Sequence, residues 1–174
     1  MSITLAVSYF LSGFFMKTSD DAFDEKKNVS VACLLGVICG VFAGYATIVN
    51  ADACVIFIAI LIGNVFAFKV DGVHHIITLA VFAIICLIFS IPPVNFIALI
   101  VCIITALLDE LGHERIILYT KNIYINLFFE YRCLMKVAVL FLGIFGLFDI
   151  WTFLYFILFE VSYEFAGYIN KLNQ

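Results

Sequence analysis

The chain alternates between long apolar runs and short polar segments, and this pattern predicts its architecture. Five apolar runs come first, at residues 3–16, 29–49, 53–68, 76–91 and 94–108. A longer stretch, 133–169, is apolar except for four charged residues. A helix needs roughly 20 apolar residues to cross a bilayer, and most of these runs are near that length or shorter. We therefore expect an all-α, polytopic transmembrane helical bundle of six to seven short spans.

Local breaks in the pattern indicate where several spans begin and end. Pro92 and Pro93 close the fourth run and can open the fifth, because proline cannot continue a helix but fits its first turn. Asp149 marks a tight turn that divides the last stretch into a sixth and a seventh span, with Trp151 at the membrane interface. Residues 116–131 mix polar and apolar side chains, which favours an interfacial helix or an ordered loop over a span.

Composition is typical of a membrane protein. Hydrophobic residues make up 66% of the 174 residues, charged residues only 13%, and the mean hydropathy is +1.19. A soluble domain carries about a quarter charged residues. We therefore expect one integral membrane domain over residues 1–174, located in the cell membrane, with its first apolar run retained because no signal-peptide pattern surrounds it. The six cysteines are scattered singly, which predicts neither disulfides nor a thiolate metal site.

The basic residues predict how the bundle is oriented. All nine lysines and arginines fall on one side of the membrane in the seven-span arrangement, and the turns near Asn50, Pro92 and Asp149 on the other side carry none. Cytoplasmic loops are enriched in lysine and arginine, so we expect the N-terminus outside and the charged loops in the cytoplasm. The basic residues are too few, and too mixed with acids, to predict nucleic-acid binding.

Three charged segments lie on the expected cytoplasmic side. We call them the charged islands, and they cover residues 18–27, 69–75 and 109–115. They contain all three histidines and most of the acidic residues of the chain. If they meet on one side of a membrane, they form a site for a multivalent cation.

The aspartates of the islands are the expected metal ligands. We expect Asp20, Asp21 and Asp24 to hold a divalent metal, with Asp71 and Asp109 completing its shell. Like charges this close repel unless a cation is shared between them, and carboxylate oxygens suit Mg²⁺ best, with Mn²⁺ also accepted. A structural role stays open, because aspartates in this position are also good N-cap and first-turn residues of a helix.

The histidines extend this chemistry in two directions. Imidazole favours Mn²⁺ or Zn²⁺ over Mg²⁺, so a mixed shell would point to a transition metal. Alternatively, His74 or His113 would serve in proton transfer, as the catalytic residue of the site. The structural alternative is that these side chains simply lie at the level of the lipid headgroups.

One island resembles a known metal-binding motif. Asp20-Asp21-Ala22-Phe23-Asp24 has the DDxxD form of isoprenoid diphosphate enzymes, and its place at a cytoplasmic helix end resembles the Asp-rich loop of the UbiA-type prenyltransferases. The resemblance implies that these aspartates hold Mg²⁺ that bridges a prenyl diphosphate. It covers this segment alone, and the UbiA-type motif follows the second helix, whereas this one follows the first apolar run.

These observations favour a divalent-metal-dependent membrane enzyme that acts at the cytoplasmic face. Its substrate would be a lipid phosphate or diphosphate, such as an isoprenoid or phospholipid precursor, with the lipid tail lying between helices. The metal would stabilise phosphate charge in the transition state by several kcal/mol. Whether the reaction is a transfer or a hydrolysis stays open.

Two other functions stay open. A divalent-cation transporter or channel would use Asn64 and Glu160 as ligands at membrane depth. A non-catalytic subunit or scaffold of a membrane complex would need no chemistry. Gly36, Gly40 and Gly44 form a stripe on one helix face, which lets a neighbouring helix approach closely inside the bundle or in a homo-oligomer or complex.

Overall fold

The computed structural model describes residues 2–172, and within them the chain is all-α and has no strand. Eight α-helices have eight residues or more, and a π-helical turn and one short helical turn follow α5. In chain order the elements are α1 (Ile3–Asp24), α2 (Val29–Val49), α3 (Ala51–Phe66), α4 (Val73–Phe89), α5 (Phe96–Leu111), the π turn (Gly112–Ile116), α6 (Ile117–Tyr119), α7 (Ile123–Glu130), α8 (Cys133–Ile144) and α9 (Ile150–Leu172).

The apolar runs predicted these helices closely, with one informative difference. The first run ends at residue 16, whereas α1 continues into the first charged island as far as Asp24. Lys17 bridges to Asp21 one turn later at 2.8 Å, which supports the polar turns of this helix. Residues 18–24 of the first island are therefore the end of a helix, which fixes the directions of their carboxylates.

Asparagine marks the start of four helices. Asn28, Asn50, Asn95 and Asn122 each accept a hydrogen bond from a backbone N–H in the first turn of α2, α3, α5 and α7. A side chain of this kind satisfies a backbone donor that the helix itself cannot pair. The polar breaks in the hydrophobic pattern are therefore structural stop and start signals.

Helix pairing closes the bundle around a centre. In order around the ring, α1, α2, α3, α5, α8 and α9 each pack against the next, and α9 returns to α1. Helix α4 packs along α2 and also touches α1. These helices enclose a cavity that the N-terminal half of α4 also lines.

The glycine stripe of α2 faces α4 within the same chain. A Cβ atom at Gly36 would lie 2.5 Å from Thr78 Oγ1, and one at Gly40 would lie 2.8 Å from the Thr78 carbonyl oxygen. Real Cβ atoms do not come this close, so only glycine allows the two helices to approach as they do. Packing through the stripe is confirmed inside the chain, and association between chains through it stays a prediction.

Two helical stretches are long and apolar enough to cross a membrane by length and composition alone. They are Val29–Val49 and Phe96–Ile116, the second of which joins α5 to the π turn. Ala51–Phe66, Val73–Phe89 and Cys133–Ile144 are apolar but shorter. Buried core helices of soluble proteins can pass the same test, so the number of spans stays a prediction.

Candidate metal centre and its cavity

The three charged islands lie together at one end of the bundle. Asp20 of the first island contacts His74 of the second, and Lys69 of the second bridges to Glu114 of the third at 2.5 Å. These contacts join residues that are far apart in sequence, because α1 ends at this face, α4 begins at it and α5 ends at it. The geometry therefore brings the islands together as the pattern of runs predicts.

One carboxylate and two imidazoles form a compact group at this face. Asp20 Oδ1 lies 3.3 Å from His74 Nε2 and 3.7 Å from His75 Nε2. One ligand atom from each of the three residues lies within 4.8 Å of the others. A single divalent ion can bind a carboxylate oxygen and two imidazole nitrogens from such a group, although small adjustments are needed to reach ligand distances near 2.1 Å.

The start of α4 holds the first imidazole in place. His74 is 1% exposed and its ring lies 4.4 Å from the Phe23 ring, centroid to centroid. Gly72 is the N-cap of α4, and a Cβ atom there would lie 2.4 Å from the His74 ring. Nδ1 of His74 has no hydrogen-bond partner among the described residues. The ring is therefore fixed by packing, with its Nε2 directed at the Asp20 carboxylate.

The second imidazole is partly open to the cavity. His75 comes just before the apolar part of α4, and its Nε2 lies 3.9 Å from Asp71 Oδ1, whose side chain is 76% exposed. Burial lowers the pKa of His75, and the Asp20 carboxylate opposes this shift. A ring with a lowered pKa is neutral at pH 7, which is the form that binds metals.

These ligand types favour a different metal from the one expected from the aspartates. Two imidazoles and one carboxylate suit Mn²⁺, Fe²⁺ or Zn²⁺ better than Mg²⁺, which prefers oxygen ligands. Asp24 lines the same cavity as Asp20, and Asp71 lies beside His75, so further carboxylate oxygens are close at hand. The group fits a transition metal more readily than the DDxxD resemblance implies.

Asp21 points away from this group. Its carboxylate accepts hydrogen bonds at 2.8 Å from Lys17 Nζ and from the Asn170 side chain of α9. Adjacent helix residues point about 100° apart, so Asp20 and Asp21 reach different neighbours. Asp21 therefore links α1 to α9 through a hydrogen bond and does not lie beside the imidazoles.

Asp109 also has structural partners. Its two oxygens accept hydrogen bonds from the backbone N–H groups of Leu134 and Met135, at 3.0 and 2.8 Å. This caps the first turn of α8 from a neighbouring helix. Asp109 also lines the cavity, but both of its carboxylate oxygens are already hydrogen-bonded to the start of α8.

His113 lies outside the group. It belongs to the π turn after α5, and it is absent from the described residues that line the cavity. His75 was not predicted as a catalytic residue or a metal ligand. It nevertheless occupies the position in the group that was expected for His113. The sequence signal was the His74-His75 pair two residues after Gly72, in the first turn of a helix.

A cavity of about 330 Å³ connects the group to the interior of the bundle. Its polar end contains the predicted residues Asp20, Asp24, Asp71 and Asp109 together with His75. Its inner walls are apolar, and they are formed by Cys39, Ala43, Phe57, Ile60, Phe82 and Phe159. One space therefore joins charged ligands to a hydrophobic compartment.

The cavity also contains polar residues from the far side of the ring. Asn64 and Glu160 line it, as do Arg132 and Tyr163. Glu160 is bound by Lys136 at 2.6 Å, so the carboxylate deep in the last run is part of an ion pair. Tyr163 follows Glu160 by three residues on α9, which places both on one helix face. That spacing was the sequence signal for Tyr163, whereas Arg132 gave none.

We predict that Mn²⁺ stabilises the wild-type protein in a saturable way and that Asp20→Asn removes this response. A ligand present at 100 times its Kd raises the free energy of unfolding by about 2.7 kcal/mol if it binds only the folded state. Thermal unfolding of the detergent-purified protein over a Mn²⁺ titration measures the effect.

Asp21→Asn is the matched control, because it changes the next residue of the same helix. It should lower the stability of the metal-free protein through the lost contacts with Lys17 and Asn170, and it should keep the Mn²⁺ response. An equal loss of the response in both variants would contradict the assignment of Asp20.

Comparisons of the chain with protein-family models, with curated proteins and with solved structures found no match. The Asp20–His74–His75 group and the apolar cavity beside it are the two features of this structure that bear most directly on function.

Proposed function

We propose that the protein is a divalent-metal-dependent integral membrane enzyme that acts at the cytoplasmic face on a lipid phosphate or diphosphate. The observation that supports this best is the cavity in which Asp20 and His75 of the Asp20–His74–His75 group face the same space as apolar walls. A phosphorylated lipid has the matching shape, with an anionic head that needs a cation and a hydrocarbon tail that needs an apolar space.

The outer surface of the bundle supports placement in a membrane. Large apolar side chains are exposed along the helices, including Leu87 at 83%, Ile88 at 68% and Phe96 at 71%. Soluble monomers rarely expose contiguous apolar areas of this kind, because water at such surfaces is unfavourable. Lipid would cover the sides of the bundle, and the charged islands would lie at the cytoplasmic interface.

The residues of the group divide the work of binding. Asp20, His74 and His75 would hold the metal, with Asp71 or Asp24 as a further carboxylate ligand. When bound, the metal supplies a positive charge for phosphate oxygens and stabilises charge that develops on them. Because His74 is buried against Phe23, we assign it to metal binding and not to proton transfer.

The apolar walls would take the lipid chain. Phe57, Ile60 and Phe82 come from α3 and α4, on either side of the space, and Phe159 comes from α9. Burial of hydrocarbon contributes roughly 0.8 kcal/mol per CH₂ group, so even a short stretch of tail would anchor the substrate. Specificity for chain type would come from the aromatic side chains along this wall.

Cation transport remains the second candidate, because both ligands that it predicts, Asn64 and Glu160, line the cavity. However, Glu160 is engaged by Lys136. At the opposite end of the bundle, Asp52 accepts hydrogen bonds from the Asp149 backbone and the Thr152 hydroxyl, both at 2.8 Å. These partners leave few free ligands for a path to that side, and the enzyme is therefore favoured.

We predict that the two ends of the bundle lie on opposite sides of the membrane. Lys26 follows α1 at the island end, and Ser90 follows α4 at the other end, and both are exposed. A membrane-impermeant maleimide should label Lys26→Cys only in inside-out vesicles and Ser90→Cys only in intact spheroplasts. The wild-type protein measures background from its own cysteines. Labelling of both positions from one side would refute the proposed topology.

We predict that a lipid phosphate and the metal strengthen each other's binding. In phosphatidylcholine nanodiscs that contain phosphatidic acid or a polyprenyl diphosphate, the apparent Kd for Mn²⁺ should fall at least tenfold relative to phosphatidylcholine alone. Binding linkage requires the effect to be reciprocal, so Mn²⁺ must also tighten lipid binding. Isothermal titration of wild-type protein measures it, and Asp20→Asn should show no such coupling.

The transport hypothesis makes the opposite prediction for the same protein. Proteoliposomes that take up Mn²⁺ with saturable kinetics, while phosphorylated lipids leave the Mn²⁺ affinity unchanged, would replace the enzyme with a transporter. If the protein shows neither Mn²⁺ uptake nor coupling between metal and lipid binding, the scaffold hypothesis is favoured.

A further inference from the structure

Two cations flank one aromatic ring on the wall of the cavity. Lys17 Nζ lies 5.6 Å and Arg132 Cζ lies 5.8 Å from the centroid of the Tyr163 ring. All three side chains line the cavity that contains Asp20 and His75. They come from α1, from the start of α8 and from α9, so the bundle brings together positive charges that the sequence keeps apart.

The Glu110 carboxylate holds the Arg132 guanidinium in place. Its Nε lies 2.7 Å from Glu110 Oε1 and its Nη2 lies 3.3 Å from Glu110 Oε2. Arg132 also has a φ of +46°, a left-handed backbone conformation that side-chain-bearing residues rarely adopt. Such a conformation costs free energy and persists where the surrounding structure fixes it, often at functional sites. Glu110 leaves part of the guanidinium fork free for a second partner.

Tyr163 connects this wall to the candidate metal group. The Arg132 guanidinium lies against its ring, and Tyr163 lines the same cavity as Asp20 and His75. The cationic wall and the Asp20–His74–His75 group are therefore neighbours across one space. An anion on the metal would meet Arg132 and Tyr163 on its other side.

We propose that Arg132, supported by Lys17 and Tyr163, forms an anion subsite that binds phosphate oxygens on the side opposite the metal. This inference rests on the proposed function and assigns residues to it. A planar guanidinium binds phosphate through two parallel hydrogen bonds, and the tyrosine hydroxyl adds a donor. A phosphate would thus be held between a metal and an arginine.

The charges of the cavity also determine the order of binding. Among the described residues, six carboxylates line it: Asp20, Asp24, Asp71, Asp109, Glu110 and Glu160. The lining cations are only Lys17, Lys69 and Arg132. Without a metal the space is net negative and repels phosphate, so the anion binds after the metal or together with it.

Inorganic diphosphate tests the subsite in the detergent-purified full chain loaded with Mn²⁺. The test variant is Arg132→Asn combined with Glu110→Gln, because asparagine tolerates positive φ and the second change avoids a buried unpaired carboxylate. Its half-saturating diphosphate concentration should rise at least tenfold, and its Mn²⁺ response should stay. Without Mn²⁺, diphosphate should not stabilise the wild-type protein.

Lys136→Gln combined with Glu160→Gln is the matched control. It removes a neighbouring ion pair between α8 and α9, and it takes one carboxylate but no cation from the cavity wall. Its diphosphate affinity should therefore equal or exceed that of wild type. Wild-type affinity in the Arg132 variant, or an equal loss in both variants, would overturn the proposal. If the Arg132→Asn/Glu110→Gln variant loses its Mn²⁺ response, the single variant Arg132→Lys replaces it as the test. A loss of diphosphate affinity of less than twofold in Arg132→Lys would also overturn the proposed subsite.

The outcomes separate this inference from the proposed function. If Mn²⁺ does not stabilise the wild-type protein, the proposed function fails. Diphosphate binding that still depends on Arg132 would then retain the anion subsite but refute the metal-first order of binding. If diphosphate does not bind either, both the subsite and the proposed function fail. Phosphatidic acid in phosphatidylcholine nanodiscs tests whether the phosphate belongs to a lipid. Binding of phosphatidic acid that depends on Arg132, without a response to inorganic diphosphate, identifies a site for a lipid headgroup. A response to inorganic diphosphate that depends on Arg132, without binding of phosphatidic acid, identifies a site for free phosphate.

Discussion

Charge in an apolar bundle must be paired, and this constraint organises the whole structure. Asp21 is paired with Lys17 and Asn170, Glu110 with Arg132, and Glu160 with Lys136, while Asp109 accepts two backbone N–H groups. An unpaired buried charge costs several kcal/mol, so these partners are conditions of folding. Asp20 is different, because its nearest partners are two imidazoles that can lose their charge. A cation fits where the pairing is incomplete.

Close helix packing sets the position of that carboxylate. Gly36 and Gly40 let α4 lie against α2, and Gly72 leaves room for the His74 ring where α4 begins. The same contacts place the imidazoles beside the end of α1, next to a cavity that Phe57 of α3 and Phe159 of α9 help to line. Packing therefore produces the ligand group and the cavity together, and a change in one would move the other.

The sequence predicted the helices far better than the partners of their charges. Apolar runs and asparagine breaks locate α2 almost to the residue, since periodicity and capping are local. Whether Asp20 or Asp21 meets the histidines depends on the rotation of α1 against α4 and α9, which no local pattern determines. The same limit explains why His75 belongs to the group and His113 does not. Arg132 was missed because its role needs a ring of helices to be closed first.

The most direct test of a metal held by Asp20, His74 and His75 is pulsed electron paramagnetic resonance of the Mn²⁺-loaded protein. Imidazole nitrogen bound to Mn²⁺ gives ¹⁴N modulation that oxygen ligands do not. The account predicts nitrogen coupling in the wild-type protein that is reduced in His75→Gln and unchanged in His113→Gln. Bound Mn²⁺ with no nitrogen coupling, or coupling that disappears only in His113→Gln, would contradict it.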